Sequence, residues 1–210
     1  EYLIDHAHGV EPCTIAQIQA YVPQGSSLQQ GQVLQCPYDH DRAHTVMREM
    51  VDTLVLDLVD KRLVAGGISL VVGYEIPREA RMAAASAFQG EHGRAYWKAI
   101  PRAGGSHKLG GYTSSAKKLV AAFEELWAET IDPDAQIRRM SVAASPVIGE
   151  EFATVDLFTD VEQEKKEHDL QRAVLAVKEK FGKNALLKGT NFRPGATGKE
   201  RNGLVGGHRG

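Results

Sequence analysis

The stretch that decides the fold is SLQQGQVLQCPYDHDRAHTVMREMVDTLVLDLVDKRLVAGGISLVVG, residues 27–73. Its middle carries Val46, Met47, Met50, Val51, Leu54, Val55 and Leu58 at steps of three and four, the spacing of one helix face. Asp39 or Asp41 supplies an N-cap oxygen, and Gly66-Gly67 is expected to end the helix. Before it, Ser27–Tyr38 reads as a strand carrying Leu28, Val33 and Leu34, with a bulge expected at Gly31. After it, Ile68, Leu70 and Val72 alternate with Ser69 and Val71, the period of a strand.

Working outward, residues 1–26 read as an entry segment, with Pro23, Gly25, Ser26 and Ser27 marking a linker. Residues 76–105 are rich in Ala, Gly and Arg without periodicity, a long loop between strands. Ser106–Gly110 is a short third strand. Thr113 and Ser114 offer caps for a second helix with the stripe Leu119, Val120, Phe123, Leu126 and Trp127. Ile137–Ile148 reads as a strand, Met140, Val142 and Ala144 on one face and Arg139, Ser141 and Ala143 on the other. Leu170, Ala173, Val174, Val177 and Phe181 mark a third helix stopped by Gly182, and a Gly-rich tail follows from Lys183.

The order from Ser27 to Ile148 is thus β-α-β-β-α-β, an α+β fold of the split-βαβ, ferredoxin-like type. A four-stranded sheet carries two helices on one face. The other face is expected to present Ser27, Gln29, Gln32, Ser69, Arg139 and Ser141. A polar sheet face is often merely solvated, yet an Arg among hydroxyls also suits the oxygens of phosphates.

Composition narrows the classes. A chain of 210 residues with 42% hydrophobic and 25% charged residues suits one globular domain with appendages. The net charge of −2 excludes a uniformly basic chromatin-type protein, but the charge is segregated. Residues 76–118 hold eight bases and two acids, residues 120–136 five acids and no base. Residues 150–169 hold eight acids and two bases, and residues 183–210 six bases and one acid. A near-neutral chain of this kind can turn a basic face to a polyanion. No apolar run is long enough to span a bilayer, and the N-terminus does not read as a signal peptide. Cys13 and Cys36 cannot form a disulfide framework, so a reducing cytoplasm is expected. The first residue is Glu rather than Met, which suits a piece of a longer protein.

No catalytic constellation stands out. Asp5, His6 and His8 lack further ligands at metal spacing. Gly195–Lys199 has the look of a phosphate loop, but position 193 is Arg where Gly is required and position 200 is Glu where Ser or Thr is required. Two features remain: Ile137-Arg138-Arg139-Met140, with Arg138 on the parity of Met140 near the sheet edge, and Thr154-Val155-Asp156-Leu157-Phe158, an apolar pentapeptide between acidic stretches.

Taken in order, these pieces resemble a family. Ser27–Leu34, Ile137–Val142, Val155–Phe158, Phe181–Gly189, Gly195–Thr197, Glu200–Asn202 and Gly206–His208 together resemble the C-terminal part of Y-family translesion DNA polymerases, the UmuC/DinB type and within it the ImpB/MucB/SamB group. The resemblance implies the end of a thumb domain and linker in residues 1–26 and a little-finger domain in 27–149 with a 76–105 insertion. A clamp-binding linker (150–160), a helix (161–182) and the basic tail (183–210) follow. It implies an error-prone polymerase of the SOS response to DNA damage. The little finger grips the backbone of primer–template DNA through Ser27, Gln29, Gln32, Ser69, Ser106, Lys108, Arg138, Arg139 and Ser141. Thr154, Val155, Asp156, Leu157 and Phe158 stand where the family docks on the β sliding clamp, with Thr154 and Val155 in place of the usual Gln and Leu. Two magnesium ions belong to the palm of the full-length polymerase, so this chain needs no cofactor and has no catalytic residue of its own. The alternative is a non-catalytic ferredoxin-like interaction module. An RNA-binding version calls for exposed aromatics on the sheet, which the outward hydroxyls, amides and Arg do not provide.

Overall fold

The apolar stripe from Val46 to Leu58 lies on a 21-residue helix in the computed structural model, which describes residues 8–9, 13–20, 26–80, 82, 101–153 and 160–204. A short helix α1 (Ile15–Ala20) precedes strand β1 (Leu28–Tyr38), helix α2 (His40–Asp60) and strand β2 (Leu63–Tyr74). Strand β3 (Arg102–Thr113), helix α3 (Ala116–Thr130), strand β4 (Ile137–Ala144) and the short strand β5 (Val147–Gly149) complete the sheet. Helix α4 (Val161–Phe181) and the four-residue helix α5 (Gly198–Arg201) follow.

Asp39 caps α2 by accepting a hydrogen bond from the Arg42 amide at 2.9 Å, which satisfies one of the free N–H groups of the first turn. The helix ends earlier than the glycines suggest. Arg62 takes the left-handed conformation, φ 52°, just past the Lys61 cap, so a non-glycine residue fills the role usually given to Gly. Gly66 and Gly67 lie inside β2 instead. A Cβ on Gly66 would stand 2.9 Å from the Tyr112 ring, and one on Gly67 2.8 Å from the Ser145 carbonyl oxygen. Both glycines serve close packing within the sheet.

The sheet is antiparallel throughout, in the order β1-β4-β2-β3 with β5 paired to β2. Each βαβ unit is split by a strand of the other: β4 lies between β1 and β2, and β2 lies between β3 and β4. Helices α2 and α3 cover one face. Between them and the sheet are packed Leu34, Ile68, Leu70, Val72, Met140, Val142 and Ala144 from the strands, with Met47, Met50, Leu54, Leu58, Leu119, Phe123 and Trp127 from the helices. Phe123, Leu54, Leu58 and Leu70 are wholly buried. Removing any one of these side chains to Ala would cost about 2–5 kcal/mol in lost transfer energy and cavity. Ser115, rather than Thr113 or Ser114, caps α3 by accepting from the Lys118 amide at 3.3 Å.

Strand β3 begins at Arg102, so residues 102–105, expected in the loop, belong to the sheet; residues 81 and 83–100 of that loop lie outside the described residues. The predicted strand 137–148 is two strands, broken at Ser145-Pro146. The stripe expected to bury α4 is only half covered: Val174 and Val177 are partly buried, whereas Leu170 is 65% and Phe181 66% exposed. Polar contacts add to this attachment. Glu167 accepts from the Lys117 amide at 3.0 Å and from the Ser115 hydroxyl at 2.9 Å, adding a carboxylate to the N-terminus of α3. Lys118 pairs with Glu164 at 2.6 Å beside it.

Candidate nucleic-acid interface

Strand pairing fixes which side chains stand on the open face, because residues directly opposite in an antiparallel ladder share a face. From β1 these are Gln29, Gly31 and Val33; from β4, Ala143, Ser141 and Arg139. From β2 they are Gly67, Ser69, Val71 and Gly73, and from β3 Lys108, Ser106, Gly104 and Arg102. The Gln29 amide donates to the Ser141 hydroxyl at 2.8 Å, which ties two of the expected polar residues into one element of the surface. Ser69 and Ser106 stand directly opposite one another. Ser27 is exposed just before β1. Gln29, Ser69, Ser106, Lys108, Arg139 and Ser141 are therefore brought to one face.

Gln32 is not. The ladder from Leu28↔Ala144 to Val33↔Arg139 is regular, with no bulge at Gly31. A bulge there would have reversed the parity of everything after it. Without it, Gln32 pairs with Met140 on the helix-covered face. There it donates to Thr197 at 3.0 Å and accepts from Arg201 at 2.7 Å.

β1 loses register only beyond Val33, before Tyr38, and β4 carries a bulge of its own. Gly73 opposes Arg139 and Tyr74 opposes Ile137, so two steps of β4 face one step of β2 and Arg138 is the extra residue. Ile137 and Met140 are both buried although three residues apart, and Arg138 and Arg139 sit half-buried between them. Arg138, predicted to share the parity of Met140, is sent by this bulge toward the open side of the sheet edge, where it pairs with Glu75 at 3.5 Å.

Arg102 is a cation that local pattern does not assign to this face. Its position depends on hairpin pairing across a long insertion. It opposes Gly73 from β3 while Arg139 opposes the same glycine from β4. A Cβ on Gly73 would stand 2.5 Å from the Arg139 Cγ, so the Arg139 stem lies across the bare glycine, between its own strand and that of Arg102. The two strands are separated by about 10 Å. Gly31, Gly104 and Ala143 keep parts of the face low, between the exposed side chains of Val33 and Val71, so a large ligand can approach the sheet closely there.

The four long strands contain no Asp or Glu at all, yet they carry Arg102, His107, Lys108, Arg138 and Arg139. Among the described residues, the acidic stretches fall on helices or loops.

On the helix-covered side, the chain's own C-terminal segment docks on α2 and on Gln32. Glu49, in α2 and 2% exposed, accepts from the Asn191 side-chain amide at 2.6 Å, the Thr197 amide at 2.7 Å and the Gly198 amide at 2.9 Å. The loop with the look of a phosphate cradle does gather backbone N–H groups around an anion, but the anion is a carboxylate of the same chain. Lys188 pairs with Asp52 at 2.6 Å. Burial holds the Arg201 guanidinium below its ordinary value, opposed by the nearby Glu49 charge. Gly195, at φ 87°, takes a left-handed turn that brings its Cα against Arg42; a Cβ there would come 2.9 Å from the Arg42 backbone.

Thr154, Val155, Asp156, Leu157 and Phe158 lie outside the described residues, as do Asp5 and His6. Among the described residues, no three His, Cys, Asp or Glu side chains come together to hold a metal ion. No described helix is long and apolar enough to cross a membrane.

The fold and this face together define an α+β sheet domain with one side packed on helices and the other open, acid-free and cationic. The family model of the impB/mucB/samB C-terminal domain matches residues 32–157, from the middle of β1 into the segment after β5. The chain belongs to that family and forms a C-terminal part of a Y-family DNA polymerase, a class tied to DNA damage and translesion synthesis. No curated protein matched the chain. Helix α4 and the segment that docks on Glu49 lie beyond the matched span.

Proposed function

We propose that this chain is the little-finger part of a lesion-bypass polymerase and grips the sugar–phosphate backbone of primer–template DNA with the open face of its sheet. The observation that carries this is the complete absence of carboxylates from the four strands, set against Arg102, Lys108, Arg138 and Arg139 on or beside one face. Ser27, Gln29, Ser69, Ser106 and Ser141 add neutral donors. Hydroxyls, amides and guanidinium groups hold phosphates without reading sequence. The paired positions of the open face carry no aromatic ring on which bases could stack. On this reading, Thr154–Phe158 inserts Leu157 and Phe158 into the β sliding clamp and so tethers the polymerase to DNA. The two magnesium ions of nucleotide transfer are held by the palm of the full-length enzyme.

The test is fluorescence anisotropy on a labelled primer–template duplex at two salt concentrations. Affinity is expected to fall steeply with salt as released counterions lose their advantage, and Arg139→Ala is expected to weaken binding to every duplex by a similar factor. Binding that is indifferent to salt, or confined to one sequence, would refute backbone gripping. For the tether, Leu157→Ala with Phe158→Ala is expected to abolish clamp binding in calorimetry while leaving the melting temperature unchanged.

A further inference from the structure

The first carboxylate after β2 is Glu75, one residue beyond the end of that strand. It does not stand there by itself. The bulge in β4 inserts Arg138 opposite the same end of the sheet, and Arg138 Nε meets Glu75 Oε2 at 3.5 Å. The Glu75 amide in turn donates to the Gln136 carbonyl at 2.7 Å, so the backbone holds the carboxylate against β4. Both side chains are partly shielded, 30% and 24% exposed, which weakens screening of their attraction.

The pairing is incomplete. A guanidinium carries five N–H donors, and the contact with Glu75 is long and made by Nε. The Arg138 Nη1 atom is buried and finds no acceptor among the described residues. A buried donor without a partner is uncommon and calls for an acceptor. Arg138 is next in chain to Arg139, the centre of the cationic face.

The geometry points to Glu75 as an electrostatic brake on the interface: it neutralises Arg138 in the free protein, and a phosphodiester must displace it to use that guanidinium. This rests on the DNA-gripping reading and adds to it a residue that limits affinity. A little finger that must slide along the duplex and let go benefits from a cation that is only partly available. Glu75 acts as a positioning residue, through Arg138, and touches no DNA itself.

The experiment measures primer–template affinity against salt for the unmodified chain, Glu75→Gln, Arg138→Gln and the double variant, with a thermal melt of each. Glu75→Gln is expected to bind about three- to tenfold more tightly, the worth of one added hydrogen-bonded contact. Its plot of log affinity against log salt should steepen by about one unit as one further counterion is released. The double variant should match Arg138→Gln. The brake is overturned if Glu75→Gln changes neither affinity nor slope while lowering the melting temperature, since the pair is then only a brace between β2 and β4. It is also overturned if Glu75→Gln strengthens binding equally when Arg138 is already Gln, since the carboxylate then acts through the general field. Absence of salt-dependent binding by every chain would overturn the gripping reading and the brake with it.

Discussion

Glu49→Ala should loosen the whole C-terminal segment. The carboxylate is buried and accepts three short hydrogen bonds, all from residues 191–198. A hydrogen bond to a charged group contributes about 1.5–3 kcal/mol. The three share one carboxylate, and Asn191 and Thr197 are only partly buried, so water recovers some of the loss. A net cost of roughly 3–5 kcal/mol follows, in the range seen when one partner of a buried charged pair is removed. For a domain of this size each kcal/mol lowers the melting temperature by about 2–4 °C, so a fall of roughly 10 °C is expected. Hydrogen exchange at the Thr197 and Gly198 amides separates this cause from a general loss of packing in α2. Those amides should lose protection far below the global unfolding barrier. A double-mutant cycle with Asn191→Ala should show coupling. If protection over residues 189–201 is unchanged, or the cycle is additive, Glu49 is not what holds the segment.

Two further outcomes concern the sheet and α2. Gly73→Ala should lower DNA affinity together with a modest fall in melting temperature, because the new methyl meets the Arg139 stem at Cγ and Cδ and forces it off its path; anisotropy and a melt on the same sample check it, and unchanged affinity would mean that Arg139 reaches DNA by another path. Burial raises the Asp57 carboxyl above its ordinary 3.8, although the hydrogen bond from Gln30 works the other way. A raised pKa means that the folded chain disfavours the ionised form, so stability falls as pH climbs from 3.8 through the folded value and stays lower above it. Asp57→Asn should therefore melt higher than the unmodified chain at neutral pH and alike below pH 3.8, which melts across pH will show.

The two core helices are legible in the sequence because burial leaves a 3.6-residue signature. Val46 through Leu58 and Leu119 through Trp127 mark the core-facing sides of α2 and α3 by spacing alone. Strand β3 is not legible in the same way, since Arg102-Ala-Gly-Gly-Ser-His-Lys-Leu-Gly-Gly-Tyr-Thr is exposed over most of its length and held chiefly by backbone pairing with β2. Placement on the interface turns on parity. Arg139 and Ser141 follow from alternation about Met140 and Val142, whereas Gln32 and Arg138 each depend on where a single bulge falls. Composition does not set that position. The docking of the tail leaves a trace that alternation cannot read: an acidic residue, Glu49, between buried Met47 and Met50, and a basic Gly-rich segment far along the chain.

The ends of the β2–β3 connection are pinned together. Gly73 pairs with Arg102, and the Tyr74 amide donates to the Pro101 carbonyl at 3.0 Å. Because the neck is closed by the sheet itself, the entropic cost of a longer connection grows only with the logarithm of its length, about 0.6 kcal/mol for each doubling. This is a point of the fold at which sequence can be gained or lost almost without thermodynamic consequence for the core. Whatever is added there emerges beside Arg102, Arg139 and the Glu75–Arg138 pair. The sheet thus offers evolution a socket at the rim of its cationic face, where a new segment can alter how DNA is held without the domain having to be refolded around it.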